Sequence, residues 1–361
     1  MPQQITLFEQ GQNGNFLSFL RGGACVTIGK RKLSHTYSDI ISLENLSLAW
    51  EEFIVGKKKK IDVINFGRNL MDNIVELHES LVNRTYSHGN YESFYITDPK
   101  RRHIHKASVR DRLLHHAVYR ILYPFFDRTY IADSYSCRNN KGTHRALDRF
   151  KQIALKVSKN NTRTGWVLKC DIKKFFASID HEILLGILRE YIDDENIISL
   201  FGNIIGSFQT DSRRKVGLPL GNLTSQLLSN VYMNRFDQWV KHRLKVKYYI
   251  RYADDFVFLS EDKNYLISII PLVQEFLQTN LKLSLHPDKL FLKTIASGVD
   301  FLGWVHFSDH RVLRTKTKRR MLRKIRKKID KQSLQSYLGL LRHGNAAKIN
   351  KQVEVERWLW S

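Results

Sequence analysis

The sequence predicts an α+β fold with an antiparallel β-hairpin in its second half, on two observations. Residues 247–251 and 256–259 are rich in aromatic and β-branched side chains, and they flank the tetrapeptide at 252–255, a pattern typical of two strands joined by a tight turn. Elsewhere, apolar residues recur with helical spacing, and residues 140–310 alternate helix-like with strand-like segments.

The elements can be assigned in order along the chain. Residues 1–40 show little periodicity and contain several glycines, so we expect an N-terminal extension over 1–44. The elements predicted after it are a helix with Leu70, Ile74, Leu77 and Leu81 on one face, a strand over 91–96, a helix over 109–122, a strand over 166–170, the hairpin, and a helix after residue 311 with Leu322, Ile325 and Ile329 on one face.

The composition favours a nucleic-acid-binding protein. The net charge of +24 and the isoelectric point near 9.9 attract polyanions. No run of about 18 apolar residues and no signal peptide is present, which predicts a cytoplasmic protein without a membrane partner. The three cysteines lack paired spacing and indicate neither disulfides nor a zinc site.

Two adjacent carboxylates, Asp254 and Asp255, occupy the predicted hairpin tip. They repel one another, and a divalent cation would relieve the repulsion by using both as oxygen ligands. Asp171 follows the strand at 166–170 and would lie at a neighbouring strand end, which suits a two-metal phosphoryl-transfer site. The alternatives are an ordinary Asp-Asp turn and, for Asp171, a helix N-cap, a role that is compatible with metal binding.

Several motifs resemble those of reverse transcriptases, in the same order and spacing: 133–138, 142–147, 171–176, 217–226, 252–255 and 301–304. The resemblance extends from about residue 45 to residue 330. It implies a right-hand polymerase with fingers over 45–165, a palm with an antiparallel sheet over 166–310, and a basic helical thumb over 311–361. Its substrates would be template RNA, the RNA/cDNA duplex and deoxynucleoside triphosphates.

The segment from Leu220 to Gln226 is most similar to reverse transcriptases of diversity-generating retroelements. Group II intron and retroviral enzymes usually have Gln at the position of Leu220 and Pro at that of Gln226. The resemblance implies error-prone cDNA synthesis, together with a small basic accessory protein that forms a ring. The alternatives are a group II intron-like, retron-like or defence-associated reverse transcriptase, and a non-catalytic RNA-binding protein on the same scaffold.

The resemblance also implies a metal centre. Asp171, Asp254 and Asp255 would hold two Mg²⁺ ions, or Mn²⁺ as a substitute, with the carbonyl of Ile172 as a further ligand. One ion would lower the pKa of the primer 3′-hydroxyl, and the other would neutralise the triphosphate.

The remaining roles implied by the resemblance concern nucleotide and nucleic acid. Phe176 would exclude ribonucleotides, or is a core residue; Lys289 would protonate pyrophosphate, or is a surface lysine. The other nucleotide contacts implied are Leu220, Gly221 and one or two of Lys100, Arg101 and Arg102, with Lys100 and Arg102 as the candidates. The nucleic-acid contacts implied are Phe301, Leu302, Gly303 and Trp304, which alternatively form an aromatic core turn, and the thumb residues Arg319, Arg320, Arg323 and Lys327.

Overall fold

The computed structural model describes residues 31–98, 100–211, 213–326 and 331–360. Helices surround three antiparallel sheets, so the α+β class predicted from the sequence is confirmed. None of the helices in these ranges has the length and apolar character needed to cross a lipid bilayer.

The N-terminal region is mostly helical. Both helices expected here and the strand over 91–96 are present, and the strand pairs with the basic segment after it to form a hairpin. The elements are α1 (Tyr37–Ile41), α2 (Leu43–Phe53), α3 (Ile61–Arg68), α4 (Leu70–Val82), β1 (Glu92–Ile96), β2 (Arg102–Lys106), α5 (Val109–Asp127) and α6 (Thr143–Val157).

The beginning of the fold differs from the expected extension over residues 1–44. Helix α1 starts at Tyr37, and Tyr37, Ile40 and Ile41 are buried in the main core. The Ser42 side chain then caps α2 by accepting a hydrogen bond from the Asn45 backbone N–H. A five-residue helix is too short to give a periodic signal, so the sequence pattern missed it. Residues 1–30 lie outside the described ranges.

The central sheet carries the expected hairpin. Its strand order is β4-β5-β3-β6, and every neighbouring pair is antiparallel. The elements of this region are β3 (Trp166–Asp171), α7 (Phe175–Ser178), α8 (His181–Arg189), α9 (Glu195–Gly206), α10 (Leu223–His242), β4 (Tyr249–Tyr252), β5 (Asp255–Ser260), α11 (Lys263–Leu281) and β6 (Phe291–Thr294).

Both faces of this sheet are buried, because alternate strand residues enter two different cores. In β5, Phe256 and Phe258 pack into the larger core with α10 and α11. Val257 and Leu259, from the same strand, pack into a second core with α6 and the C-terminal region. The sheet is therefore held from both sides, and its strand ends are fixed relative to the flanking helices.

The C-terminal region combines a small sheet with helices. Strands β7 (Val299–Phe301), β8 (Trp304–His306) and β9 (Arg311–Leu313) form an antiparallel meander, followed by α12 (Thr315–Arg326), α13 (Lys331–Leu341) and α14 (Ala347–Trp360). The boundary expected between residues 310 and 311 separates β8 from its partner β9 and so divides one sheet. Leu322 and Ile325 are buried as the helix pattern predicts, and Ile329 lies outside the described residues.

Candidate active site

The three aspartates predicted from the sequence lie at neighbouring strand ends. Asp255, the first residue of β5, pairs directly with Asp171, the last residue of β3. Asp254 occupies the two-residue turn before β5, and its carbonyl accepts a hydrogen bond from the Ile172 backbone N–H at 3.1 Å. The other turn residue, Ala253, has φ of +55°, a left-handed conformation that is unfavourable for a side chain with Cβ. The strands and this turn bring the carboxylates together.

Electrostatics disfavour negative charge at this strand end when no cation is bound. Burial raises the pKa of Asp254, and the nearby charge of Asp171 raises it further. Burial likewise raises the pKa of Asp255 to about 6, although Lys169 opposes the shift. Repulsion among these carboxylates adds to the cost of removing them from water. The site therefore favours the arrival of positive charge.

Two lysines supply part of that charge. Lys289 Nζ lies 2.6 Å from Asp171 Oδ1, so Lys289 belongs to the site and is not an unrelated surface lysine. Lys169 Nζ lies 3.2 Å from Asp255 Oδ2. Asp171 is not a helix N-cap, because the next helix, α7, begins at Phe175 after Lys174. The structure therefore excludes the N-cap alternative for Asp171.

The donor set fits a divalent cation in its chemistry. Carboxylate oxygens are hard ligands, and the buried Asp255 Oδ1 has no hydrogen-bond partner within the described residues, which leaves it open to a cation. No group of three histidine, cysteine, aspartate or glutamate side chains in those ranges is already assembled as a metal site. Asp171, Asp254, Asp255 and the Ile172 carbonyl remain the candidate ligands, with the lysines as the groups that a cation would displace.

The loop at 217–221 links the site to the N-terminal hairpin. At one end, the Leu218 N–H donates to the Phe176 carbonyl at 2.8 Å. At the other end, the Leu220 carbonyl accepts from the His105 N–H of β2 at 3.0 Å. Gly221 has φ of +111°, and a Cβ there would lie 2.9 Å from Ile104 Cγ2, so glycine is required by both conformation and space.

The two adjacent phenylalanines after Asp171 differ in exposure. Phe175 is buried in the core, whereas Phe176 is only half-buried. Phe175 is therefore the core member of the pair, and Phe176 is not a fully buried core residue. The Phe176 ring and the Leu220 side chain are both half-buried.

The structure separates the three consecutive cations at the tip of the β1–β2 hairpin. The Arg101 guanidinium stacks on the Tyr95 ring at 4.3 Å. Arg102 belongs to β2 and pairs with Ile96 across the hairpin. Lys100 is close enough to the carboxylates that its charge opposes the rise in the pKa of Asp254. Of the three, Lys100 has the best support for a role at the site.

The motif at 301–304 forms a hairpin turn with a buried base. Leu302 and Gly303 have φ of +49° and +87°, and they join β7 to β8. Phe301 and Trp304 are 0% and 1% exposed. These two side chains pack in the second core, so the expectation that they contact nucleic acid directly is wrong for the protein in this conformation. Direct contact from this motif is left to Leu302 and Gly303.

The basic residues of α12 point in two directions. Arg319 and Arg323 are exposed. Arg320 and Lys324 instead pair with Asp98 beyond the end of β1, with Arg320 Nε 3.2 Å from Asp98 Oδ1. Lys327 lies outside the described residues. Helix α12 therefore contacts the segment that follows β1 of the N-terminal hairpin.

Sequence reasoning missed two groups around the site. One is Lys169, whose signal was a cation in an otherwise apolar strand. The other is the ion pair between Arg251 of β4 and Asp237 of α10, both 0% exposed. Each of the two is a charged residue in a segment that is otherwise mostly buried. A single sequence does not show whether such a charge is buried or exposed.

Comparisons with known proteins agree with this geometry. The family model described as reverse transcriptase (RNA-dependent DNA polymerase) matches residues 97–306, which is more than half of the chain. The match spans the loop at 217–221 and all three aspartates. It identifies the α+β architecture as the right-hand polymerase fold.

Three relatives illustrate the range of similarity. Protein YkfC of Escherichia coli is 26% identical over 251 residues, covering 58% of this chain and 63% of that protein. The putative COX1/OXI3 intron 2 protein of Saccharomyces cerevisiae is 22% identical, covering 39% of this chain and 23% of that protein. The group II intron-encoded protein LtrA of Lactococcus lactis subsp. cremoris is 27% identical, covering 49% and 29%. The matches thus span less than two thirds of each relative.

Proposed function

Because the chain belongs to the reverse transcriptase family, we propose that it is an RNA-directed DNA polymerase, which extends a primer with deoxynucleotides on a template RNA. The observation that carries the proposal is the placement of Asp171, Asp254 and Asp255 at paired strand ends, with the buried Asp255 Oδ1 left without a partner in the described residues. A protein that only bound RNA would gain nothing from this unfavourable cluster.

The mechanism assigns separate tasks to the residues of the site. Asp171, Asp254, Asp255 and the Ile172 carbonyl would hold two Mg²⁺ ions, which would supply charge to activate the primer hydroxyl and to stabilise the phosphates. Lys289, which contacts Asp171, would give a proton to the leaving pyrophosphate. Lys100 approaches the triphosphate and offsets its charge.

Phe176 supplies sugar selection in this proposal. Its ring would occupy the space that a ribose 2′-hydroxyl needs, and the ring of the buried Phe175 packs against it. Replacing Phe176 with Ala should therefore raise the ratio of ribonucleotide to deoxynucleotide incorporation on an RNA template. Phe175→Leu is the control, because it perturbs the same short helix but keeps a large apolar side chain behind the Phe176 ring. Equal ratios in the Phe176→Ala variant and the parent would place the gate elsewhere.

Within the family, we assign the chain to the diversity-generating retroelement type, cytoplasmic and acting with a ring-forming basic accessory protein. The support is Leu220, whose aliphatic side chain cannot form the hydrogen bond that Gln provides near the incoming nucleotide. A mispaired nucleotide is then rejected less strongly, because discrimination is a difference between binding energies. Errors opposite template adenine are expected from an enzyme of the diversity-generating retroelement type.

The deciding experiment is primer extension on a defined RNA with sequencing of the products. The parent should make cDNA with frequent errors opposite adenine, and Leu220→Gln should lower that frequency by up to about tenfold, equivalent to about 1.4 kcal/mol. Leu218→Met, a volume-conserving change at a buried position of the same loop, is the matched control. No cDNA from the parent would contradict the polymerase proposal itself.

A second candidate is a group II intron-like reverse transcriptase, which the similarity to LtrA favours. The same error spectrum separates the two. Accurate copying by the parent, unchanged in Leu220→Gln, favours the intron-like type. A neighbouring variable gene with an imperfect repeat and a small basic accessory gene favours the retroelement type.

A further inference from the structure

A fully buried ion pair lies directly beneath the turn that carries Asp254. Arg251 and Asp237 are each 0% exposed. Arg251 Nε donates to Asp237 Oδ1 and Oδ2 at 2.8 and 2.9 Å, and Nη2 donates to Oδ2 at 2.7 Å. Tyr249 OH adds a further hydrogen bond to Asp237 Oδ1 at 2.8 Å. The guanidinium is thus fixed in plane by its carboxylate partner.

The remaining donors of Arg251 reach three further residues. Nη1 donates to the Ala253 carbonyl at 3.1 Å and to Asn230 Oδ1 at 3.3 Å. Nη2 donates to Ser134 Oγ at 3.0 Å. One side chain therefore joins α10 and the loop before α6 to the turn of the β4–β5 hairpin.

The turn needs such support because Ala253 adopts a left-handed conformation that alanine disfavours. A buried ion pair is a weak source of stability in itself, since desolvation offsets much of the attraction. Stabilisation of the fold therefore does not explain why this pair is buried here. Positioning of the turn at Ala253 does explain it.

We propose that Arg251 and Asp237 are positioning residues for the candidate catalytic carboxylates: through the Ala253 carbonyl they hold the turn in the conformation that presents Asp254 and Asp255 to a divalent cation. This inference rests on the proposed function, because it explains how the carboxylates of the proposed active site are held in position. Arg251 touches neither substrate nor cation and acts through the turn.

Arg251→Lys tests the proposal. Lysine keeps the positive charge beside Asp237 but lacks the planar fork that also reaches Ala253. We expect the affinity of the purified protein for Mn²⁺, measured by electron paramagnetic resonance without nucleic acid, to fall about tenfold. In primer extension, kcat should fall about 30-fold, with KM for the nucleotide changed less than about threefold.

The matched control is Asp111→Asn, which changes another fully buried aspartate. Its partners, Tyr86, Ser108 and Gly89, all belong to the N-terminal region and do not touch the turn. This variant should lose thermal stability and keep the parental Mn²⁺ affinity. If Arg251→Lys does not fold, Asp237→Asn replaces it, because the amide still offers the fork a neutral acceptor.

A folded Arg251→Lys or Asp237→Asn variant with parental Mn²⁺ affinity, or with a loss no larger than that of Asp111→Asn, overturns the proposal. An inactive parent would contradict the proposed polymerase function only. The Mn²⁺ titration needs neither template nor nucleotide, so it tests the positioning role in either case.

Discussion

The β4–β5 and β7–β8 hairpins have similar tight turns but opposite contents. Each turn has two residues and contains a non-glycine residue in a left-handed conformation, Ala253 in one and Leu302 in the other. The first hairpin places carboxylates at its tip above a buried ion pair. The second buries the aromatic residues on both sides of its turn. The same kind of turn therefore presents charged side chains in one hairpin and supports core packing in the other.

Lys169 physically connects these two hairpins. Its Nζ lies 3.2 Å from Asp255 Oδ2 and donates to the Asp300 carbonyl at 2.9 Å. Asp300 lies in β7, and its side chain also accepts from Arg314 just before α12. A movement of the C-terminal region would therefore displace Lys169 and change its contact with Asp255, a candidate metal ligand. The predictions below separate the contributions of the two hairpins.

The largest expected effect is at the tip of the first hairpin. Asp255→Asn keeps the shape of the side chain but removes the charge that a cation needs, so cDNA synthesis should fall about a thousandfold or more, equivalent to about 4 kcal/mol. Asp300→Asn, at the second hairpin, is the control, because only its carbonyl contacts Lys169. The measurement is the single-turnover rate of primer extension with Mg²⁺.

The stability of the Asp255→Asn protein without metal should not decrease, since the substitution removes a charge that burial disfavours. Synthesis at a rate near that of the parent would mean that this hairpin tip is not the metal site.

A substitution in the second hairpin should mainly lower the stability of the protein. Trp304 is buried against Gly344 in the loop between α13 and α14, and Trp304→Ala should lower the free energy of unfolding by about 3–5 kcal/mol. Duplex binding should weaken as the C-terminal helices lose their packing, whereas Mn²⁺ affinity is retained. Urea denaturation measures the loss of stability, and Mn²⁺ titration of the same sample tests whether the metal affinity is retained. Loss of Mn²⁺ affinity in a still-folded protein would contradict this division of roles.

Acid should weaken the second hairpin through His306. Burial, reinforced by the charge of Arg311, lowers the pKa of His306 to about 3. In the unfolded chain the pKa is about 6.5, so between pH 7 and pH 5 the unfolded state takes up a proton that the folded state excludes. The free energy of unfolding therefore decreases as the pH falls. His306 accounts for about 2 kcal/mol of the decrease between pH 7 and pH 5.

His306→Leu should remove that part of the pH dependence. The measurement is the free energy of unfolding of both proteins at pH 7 and pH 5. His310→Gln, a change at an exposed histidine between β8 and β9, is the control and should keep the parental slope. Identical slopes for the parent and His306→Leu would show that His306 is protonated in the fold.

The smallest expected effect concerns the connection between the hairpins. Lys169→Met removes a positive charge beside Asp255, so a divalent cation meets less competition and Mn²⁺ affinity should rise about tenfold, or about 1.4 kcal/mol. Lys173→Met removes an exposed charge two residues beyond Asp171 and serves as the control for net charge. Calorimetric titration measures both. A decrease in affinity for Lys169→Met would mean that Lys169 supports the ligand more than it competes with the cation.

The sequence predicts the first hairpin better than the second, for a physical reason. Adjacent aspartates between two strand-like segments are unfavourable unless they serve chemistry, so Asp254 and Asp255 are informative on their own. Aromatic residues such as Phe301 and Trp304 suit both a buried turn and a nucleic-acid contact. Only the burial in the folded chain decides between these roles.

The groups that support the site escape prediction because their partners are distant in sequence. Asp237 and Arg251 lie in a helix and a strand, and nothing in either local pattern indicates that they meet. Helix α1 escapes for a different reason, since five residues give too little periodicity. Long elements such as α4 and α5, with three or more turns of apolar spacing, were predicted correctly in place and type.

The contact between Asp98 and the α12 residues Arg320 and Lys324 has a consequence for ionic strength. These groups are exposed or partly exposed, so their attraction is weak and is screened over a Debye length of about 10 Å at 0.1 M salt. Added salt weakens this contact and makes Arg320 and Lys324 more available to the phosphates of a nucleic acid. The same salt reduces the entropy gained when the polyanion releases its counterions. The two effects oppose one another, so the affinity for a nucleic acid should be highest at an intermediate ionic strength.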